Sequence, residues 1–339
     1  MSPAEPTTAG LGERAGTDGR WSGTAFGIDL EAPFAIDGLL ATEPGSIEAP
    51  TRLELVSREE LELAWPSEGA QRRVERRFPD GRLALTIDRH EQVGYRLWWV
   101  RAGRYIVGPD GLRVLCSLPR VGAARWQRYV VAQVLPLAAA LRGLEVIHAS
   151  AVSVGDQAVA FVAPSGTGKT TLAAHLVLGG AGFLTDDVLA LEARGDAVWG
   201  HPGVGVVNLE ASDDELVGPG KVSRLGQVVG RSDKAHVALA QEVNPKPLRA
   251  VYFLERGLPV DHATVERVSP PDPRLLLASA FLPHLDSPER LVNQLQVCAL
   301  LSRSSGIYRV RAPAATSAVE LAAVLSRHIP DALRRAGHE

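Results

Sequence analysis

Residues 160–176, AFVAPSGTGKTTLAAHL, place an apolar strand, a short loop with two glycines and an amphipathic helix in direct succession. The loop follows the pattern G-x-x-x-x-G-K-[ST], except that Ala163 stands where the first glycine would be. Gly166 and Gly168 allow successive backbone N–H groups to point inward at a helix N-terminus, an arrangement that binds phosphate. A Gly-rich turn with a chance lysine is the alternative. Because strand, loop and helix follow in the required order, we predict a nucleotide site.

The side chains of this phosphate loop, a Walker A loop, are expected to divide the work of holding a nucleotide. Lys169 is predicted to reach the β- and γ-phosphates, and the Thr170 hydroxyl is predicted to bind Mg²⁺. The predicted nucleotide-binding residues are Ser165, Gly166, Thr167, Gly168, Lys169, Thr170 and Thr171. ATP and Mg²⁺ are therefore the predicted cofactors, although a phosphate loop does not distinguish ATP from GTP.

Two adjacent acidic residues, Asp186 and Asp187, follow the loop in GFLTDDVLAL (182–191). We interpret this segment as one strand, in which neighbouring side chains face opposite ways, so both carboxylates reach the phosphates only if the strand ends or bends there. Phosphoryl transfer to a hydroxyl needs a metal near the phosphates and a carboxylate that takes the acceptor's proton. The pair can divide that work. The alternative is one buried, hydrogen-bonded aspartate and one surface aspartate.

The chain before the loop has a different pattern of polar and apolar residues. From about residue 50 to 118 polar and apolar residues alternate, and D-G turn signals separate the runs, so we predict a small antiparallel sheet. A linking helix is predicted over 125–142. The predicted organisation is a disordered tail (1–22), a smaller β-rich N-terminal domain that includes the linking helix (23–142) and an α/β domain that contains the phosphate loop (143–339).

Composition narrows the class of partner. The net charge of −3, with 45% apolar and 22% charged residues, indicates a globular chain without a global field for nucleic acid or membrane. The longest apolar run, 129–143, is shorter than the roughly 20 residues of a membrane span. The two cysteines, Cys116 and Cys298, lie far apart without partners at metal spacing, so we expect both in the core. A cytoplasmic protein with neither nucleic-acid nor membrane partners is therefore expected.

Three motifs occur in a specific order: IHASAVSV (147–154), the phosphate loop and the Asp-Asp segment. Together they resemble the catalytic domain of the HPr kinase/phosphorylase family over about residues 143–325. The resemblance implies an α/β P-loop kinase domain of the HPr kinase/PEP-carboxykinase type. It also implies that homo-oligomers form in many members, which leaves the oligomeric state of this chain open.

The resemblance implies site roles as well. His148 would help Lys169 to stabilise charge at the phosphates. Asp186 and Asp187 would be the catalytic base and the metal-side acid, and we favour Asp186 as the base. The metal would then be held by Thr170 and Asp187.

One departure from the family bears on activity. Bifunctional members carry the signature E-[IV]-R-G-x-G-[IV], whereas GHPGVGVVNL (200–209) has Gly200 and Pro202 where the acidic and basic residues would stand. A kinase without the phosphorylase activity is therefore expected. His201 is a candidate lining residue of the site.

The predicted function is an ATP-dependent kinase for a hydroxyl acceptor, first of all Ser or Thr in a peptide or small protein, such as a precursor peptide in a tailoring pathway. A small-molecule hydroxyl is the second choice. A nucleotide-binding regulator without phosphotransfer is the alternative from another class. An enzyme like PEP carboxykinase ranks lower, because the N-terminal half is too short and too β-rich for the oxaloacetate domain.

Overall fold

The computed structural model describes residues 20–43, 49–119, 123–210, 216, 225–231 and 234–336. Within these residues no helix combines the length and apolar character needed to cross a membrane. Most of the predicted tail lies outside the described residues. The first strand nevertheless begins at Trp21, inside the range predicted for the tail, because Trp21 and Ser22 are buried in the N-terminal core.

The N-terminal half forms a nine-stranded sheet with the order β3-β1-β2-β4-β9-β8-β7-β6-β5. Its strands are β1 Trp21–Ala25, β2 Ile28–Ala32, β3 Leu40–Ala41, β4 Thr51–Leu55, β5 Gln71–Arg77, β6 Leu83–His90, β7 Gly94–Trp99, β8 Gly103–Val107 and β9 Arg113–Ser117. Hairpins connect β5 to β9 as the turn signals predict. An antiparallel sheet was predicted, but the sheet is mixed, since β4 pairs in parallel with β2 and β9. Helix α1, Arg58–Leu63, and four strands separate β4 from β9, so no hairpin forces them to be antiparallel.

The predicted linking helix is confirmed, but it has three parts. Helix α2, Ala123–Tyr129, continues through a π-helical turn, Val130–Val134, into helix α3, Leu135–Leu141. The Leu135 N–H donates to the carbonyl of Val130, five residues earlier, and Pro136 follows without an N–H of its own. Proline thus interrupts the regular i→i−4 ladder at the point where the helix widens.

The second half is built on a long strand, β19, that joins two groups of strands into one sheet. The path is β10-β14-β15-β19-β12-β11-β13, and β21 and β20 extend it on the other side of β19. These strands are β10 Glu145–Ile147, β11 Ala149–Val154, β12 Gln157–Val162, β13 Gly182–Thr185, β14 Leu189–Arg194, β15 Ala197–Gly200, β19 Lys246–Arg256, β20 Thr264–Arg267 and β21 Gly306–Ala312. A separate three-stranded sheet consists of β16 Val206–Glu210, β17 Gln227–Arg231 and β18 Lys234–Ala238.

The helices whose full range is described in the second half are α4 Lys169–Leu178, α5 Pro273–Leu277, α6 Pro288–Ser304 and α7 Ala318–Ala336. Apolar side chains of α4 and α7 pack with β12 and β19 in one core cluster, and those of α6 pack in another. The segment DPRLLLASAFLPHL (272–285) has the apolar pattern and the N-terminal Asp of a helix, but α5 covers only its first part. It ends at Leu277, because Ala280 forms a bridge with Ile147 and Pro283 disfavours helical backbone before it.

The N-terminal core crosses the predicted boundary at 142/143. Val146, Val188, Ala190, Leu282 and Leu285 belong to the same buried cluster as the strands and helices before residue 142. The two-domain division therefore stays a prediction. Both cysteines are buried, as expected from the sequence.

Candidate functional site

The phosphate loop lies between the end of β12 at Val162 and the start of α4 at Lys169, in the predicted order. Gly166 has φ +80° and Gly168 has φ +95°, a left-handed conformation that glycine adopts without steric cost. Gly168 is also the N-cap of α4. Ser165 and Gly166 are exposed, so the tip of the loop is open to solvent.

Lys169 turns back under this loop. Its side chain is buried, and Nζ donates to the Ala163 carbonyl at 2.7 Å and lies 3.0 Å from His148 Nε2. Burial lowers the pKa of Lys169, while Asp187 and Asp186 raise it. Because an ammonium group only donates hydrogen bonds, His148 Nε2 accepts and the proton of the neutral ring lies on Nδ1.

His148 occupies the break between β10 and β11. Its backbone N–H donates to the Ser279 carbonyl at 2.8 Å, and its ring stacks on Phe281 with centroids 6.1 Å apart. Its Nδ1 lies 2.9 Å from the Asp187 carbonyl and 3.3 Å from Asp187 Oδ1. The histidine therefore bridges Lys169 and Asp187.

Asp186 lies on the other side of the loop and is partly buried. Its Oδ1 accepts hydrogen bonds from Ser150 Oγ at 2.6 Å and from Thr170 Oγ1 at 2.9 Å. Burial raises the pKa of Asp186 and the neighbouring Asp187 adds to the rise, while the two hydroxyl bonds lower it. The structure thus brings Thr170 to Asp186, whereas the sequence paired Thr170 with Asp187.

The Asp-Asp segment is not the single strand that the sequence predicted. Strand β13 ends at Thr185 and β14 begins at Leu189. The turn is closed by the Val188 N–H, which donates to the Asp186 carbonyl at 2.8 Å, and by Thr185 Oγ1, which donates to the Val188 carbonyl at 2.6 Å. Asp187 has φ +67°, and its side chain is 55% exposed. Because of this bend, both aspartates line the same cavity.

That cavity has a volume of about 220 Å³. It lies between the Asp-Asp turn, the β1–β2 turn, the linking helix and the three-stranded sheet. Its lining residues are Phe26, Asp37, Gln127, Arg128, Val131, Ala132, Asp186, Asp187, Val188, Val204, Val206, Asn208, Val229 and His236. The N-terminal half thus contributes directly to the space in front of the aspartates.

Arg256, at the end of β19, supports the phosphate loop from behind. Its Nη1 donates to the Thr167 carbonyl at 3.2 Å, and its Nη2 donates to the Thr316 carbonyl. Thr167 also donates through Oγ1 to Pro164 at 2.8 Å. Sequence reasoning did not single out Arg256, since it lies 89 positions from Thr167.

His201 lies elsewhere. It is buried, its Nε2 lies 2.8 Å from Glu192 Oε2, and its ring packs against Gly27 of the β1–β2 turn. Burial lowers its pKa, and Glu192 opposes that shift. His201 does not line the described cavity, so its contacts give it a packing role and not the lining role considered from the sequence.

The described residues contain no cluster of three or more His, Cys, Asp or Glu side chains that could hold a metal by themselves. Magnesium at a phosphate loop needs fewer protein ligands than such a cluster provides. It keeps several waters and binds one or two protein oxygens together with phosphate oxygens. The adjacent Thr170 hydroxyl and Asp186 carboxylate fit that requirement.

Comparisons with known proteins leave the family open. No family model matches the chain, and no curated protein matches it. Among solved structures, the HPr(Ser) kinase/phosphatase from Coxiella burnetii matches with 12% identity over 55% of this chain and 97% of that chain. Its TM-score is 0.31, which establishes neither a shared fold nor a shared activity.

Proposed function

We propose that the chain is an ATP- and Mg²⁺-dependent kinase that transfers the γ-phosphoryl group to a hydroxyl acceptor. The observation that carries the proposal is the placement of two different carboxylates at one phosphate loop. Asp186 is bonded to Thr170 of the loop, and Asp187 lies beside His148 and faces a cavity. A hydrolysing NTPase needs the first carboxylate, whereas transfer to a hydroxyl also needs the second.

The contacts support a division of roles opposite to the one favoured from the sequence. Asp186 is less exposed than Asp187 and is held by two hydroxyls, so we assign it with Thr170 to the magnesium side. Asp187 is half exposed on the cavity wall, where a base must lie to reach an acceptor. Bound magnesium would supply charge neutralisation between the β- and γ-phosphates.

In the proposed step the acceptor oxygen forms a bond to the γ-phosphorus while the bond to the β–γ bridging oxygen breaks and ADP leaves. The hydroxyl proton goes to Asp187. Lys169 and the backbone N–H groups of the loop stabilise the charge on the phosphates, and His148 holds Lys169 and Asp187 in register. The acceptor is proposed to be Ser or Thr of a peptide or small protein, with a small-molecule hydroxyl as second choice.

The test is mass spectrometry of the full chain incubated with ATP, Mg²⁺ and a pool of peptides and hydroxyl metabolites. We expect one acceptor class to gain a phosphoryl group. Lys169→Ala should abolish the gain, and the matched control Lys246→Ala, which removes ion pairs with Asp156 and Glu242 outside the phosphate loop, should retain it. Tight ATP binding without transfer to any acceptor would instead support a nucleotide-binding regulator.

A further inference from the structure

The cavity in front of Asp187 has an apolar wall and a polar edge. Binding of a nucleotide at the phosphate loop requires neither of them. Most of the cavity wall is apolar and comes from four separate parts of the fold. The apolar lining residues are Phe26, Val131, Ala132, Val188, Val204, Val206 and Val229. A compound held here would bury an apolar body while its hydroxyl lay at the aspartates.

Asp37 and Gln127 contribute polar groups to the cavity wall, and three further polar side chains at its edge form a hydrogen-bonded series. Arg128 Nη1 lies 2.9 Å from His236 Nε2, and His236 Nδ1 lies 2.7 Å from Asn208 Oδ1. Because a guanidinium only donates, His236 accepts at Nε2 and donates from Nδ1 to Asn208. These two hydrogen bonds fix the tautomer of His236 and the orientation of Arg128. The positive charge of Arg128 at this edge suits a hydrogen-bond acceptor on the ligand.

The linking helix presents its irregular part to this cavity. Val131 and Ala132 belong to the π-helical turn Val130–Val134, and both line the wall. A π-helical turn carries an extra residue and is common at functional sites. The size of the cavity limits the ligand, since about 220 Å³ is below the roughly 300 Å³ at which drug-sized pockets begin.

We infer that this cavity is the acceptor pocket of the proposed kinase and that it takes a hydroxyl compound the size of a single residue. The compound has an apolar body against Val131 and Val188 and a carbonyl or carboxylate at Arg128. This inference rests on the proposed function and deepens it. A free hydroxy amino acid and one hydroxyl residue of a peptide share this chemistry, and the experiment separates the two sources.

The experiment measures phosphoryl transfer from ATP to defined probes. Free L-serine and L-threonine form one arm, and N-acetyl-L-serinamide and N-acetyl-L-threoninamide, which mimic a residue inside a peptide, form the other. We expect transfer in one arm, which identifies the source. Threonine compounds should be better than serine compounds in that arm, because the extra methyl group is buried.

Two variants locate the acceptor. Ala132→Phe fills the cavity and should lower kcat/KM for the probe at least tenfold, and Arg128→Met should do the same by removing the donor. Ala299→Phe, on an exposed position of α6, and Arg82→Ala, on an exposed turn, are the matched controls and should behave as wild type. The Kd for Mg-ATP should be unchanged in all four variants, which excludes misfolding.

The outcomes distinguish failure of the inferred acceptor pocket from failure of the proposed kinase function. If Ala132→Phe transfers to the probes as fast as wild type, the acceptor binds elsewhere and the kinase proposal stands. If none of the probes is phosphorylated although another compound in the metabolite and peptide pool is, the inferred acceptor class is wrong. If nothing at all is phosphorylated, the proposed function fails and the inference fails with it.

Discussion

Asp186 and Asp187 are neighbours in the chain, yet their carboxyl groups have different surroundings. Asp186 is held by Ser150 and Thr170, and Asp187 is exposed beside His148. The sequence predicted that this pair divides two tasks. It could not say which residue has which task, because the bend that separates them depends on hydrogen bonds of Thr185 and Val188 and has no Gly or Pro signal.

Asn substitutions at the two positions should have different effects on catalysis. Asp187→Asn removes the proposed base and should lower kcat by about 10²- to 10⁴-fold, the usual range for general base catalysis, with little change in the Kd for Mg-ATP. Asp186→Asn should mainly weaken magnesium-dependent ATP binding. Turnover assays and calorimetric titration of Mg-ATP measure both effects. The opposite pattern would restore Asp186 as the base, as first favoured from the sequence.

The partial burial of Asp186 also predicts a pH-dependent gain in stability when its charge is removed. Its pKa is raised in the folded state, so between the ordinary aspartate pKa of about 4 and the raised value the folded protein binds more protons than the unfolded chain. Its contribution to stability therefore falls as pH rises through that window. Without Mg²⁺, Asp186→Asn should raise Tm at neutral pH by a few degrees, at roughly 2–4 °C per kcal/mol, and the gain should vanish below about pH 4.

Thermal unfolding monitored by circular dichroism across this pH range measures the effect. Asp156→Asn is the matched control, since the Asp156 side chain is fully exposed and its ion pair with Lys246 lies at the surface. A gain in Tm that is the same at every pH would show that hydrogen bonding, and not the charge of Asp186, determines the stability at this position.

Among the elements, those defined by local patterns were predicted and those defined by distant contacts were not. The strand–loop–helix around Gly166 and Gly168 follows from glycine conformations and apolar periodicity within a short window. The parallel pairing of β4, the early end of α5 and the contact of Arg256 with the phosphate loop depend on partners many positions away. Local composition carries no signal for such contacts.

The connection from β19 to the phosphate loop predicts an effect on nucleotide binding. Arg256→Ala removes the donor to the Thr167 and Thr316 carbonyls, so the loop loses a support and the Kd for Mg-ATP should rise about tenfold, or about 1.4 kcal/mol. The control is Arg249→Ala on the same strand, which removes a hydrogen bond to the Ser304 carbonyl. Titration calorimetry of the two variants measures the difference. Equal Kd values would mean that Arg256 only stabilises the fold.

At the scale of the whole molecule, the N-terminal half is part of both the core and the candidate site. The residue pattern changes near residue 142 from alternating strands to strand–loop–helix, and this change predicts two domains. It does not show that Val188 and Leu285 are buried in the core of the first half, because that contact joins positions far apart. It also does not show that the linking helix lines the cavity of the aspartates.

The shared core predicts that the second half does not fold alone. A fragment of residues 143–339 would expose the apolar side chains that pack against the N-terminal half, so it should be aggregation-prone and lack a sharp thermal transition. The full chain should unfold in a single transition. Scanning calorimetry of both samples measures this, with far-ultraviolet circular dichroism of the fragment as a check on residual structure. Two separated transitions in the full chain would contradict the prediction and support independent domains.

The left-handed backbone of Asp187 restricts how this protein can evolve. Besides glycine, aspartate and asparagine are the residues that most readily adopt φ +67°, so few substitutions there leave the turn intact. Aspartate and asparagine codons differ by a single base. A lineage that made this exchange would keep the turn, the cavity and the phosphate loop while it lost the proposed base. Descent from a catalyst to a nucleotide-responsive protein is therefore a short mutational path at this position, and the reverse path is equally short.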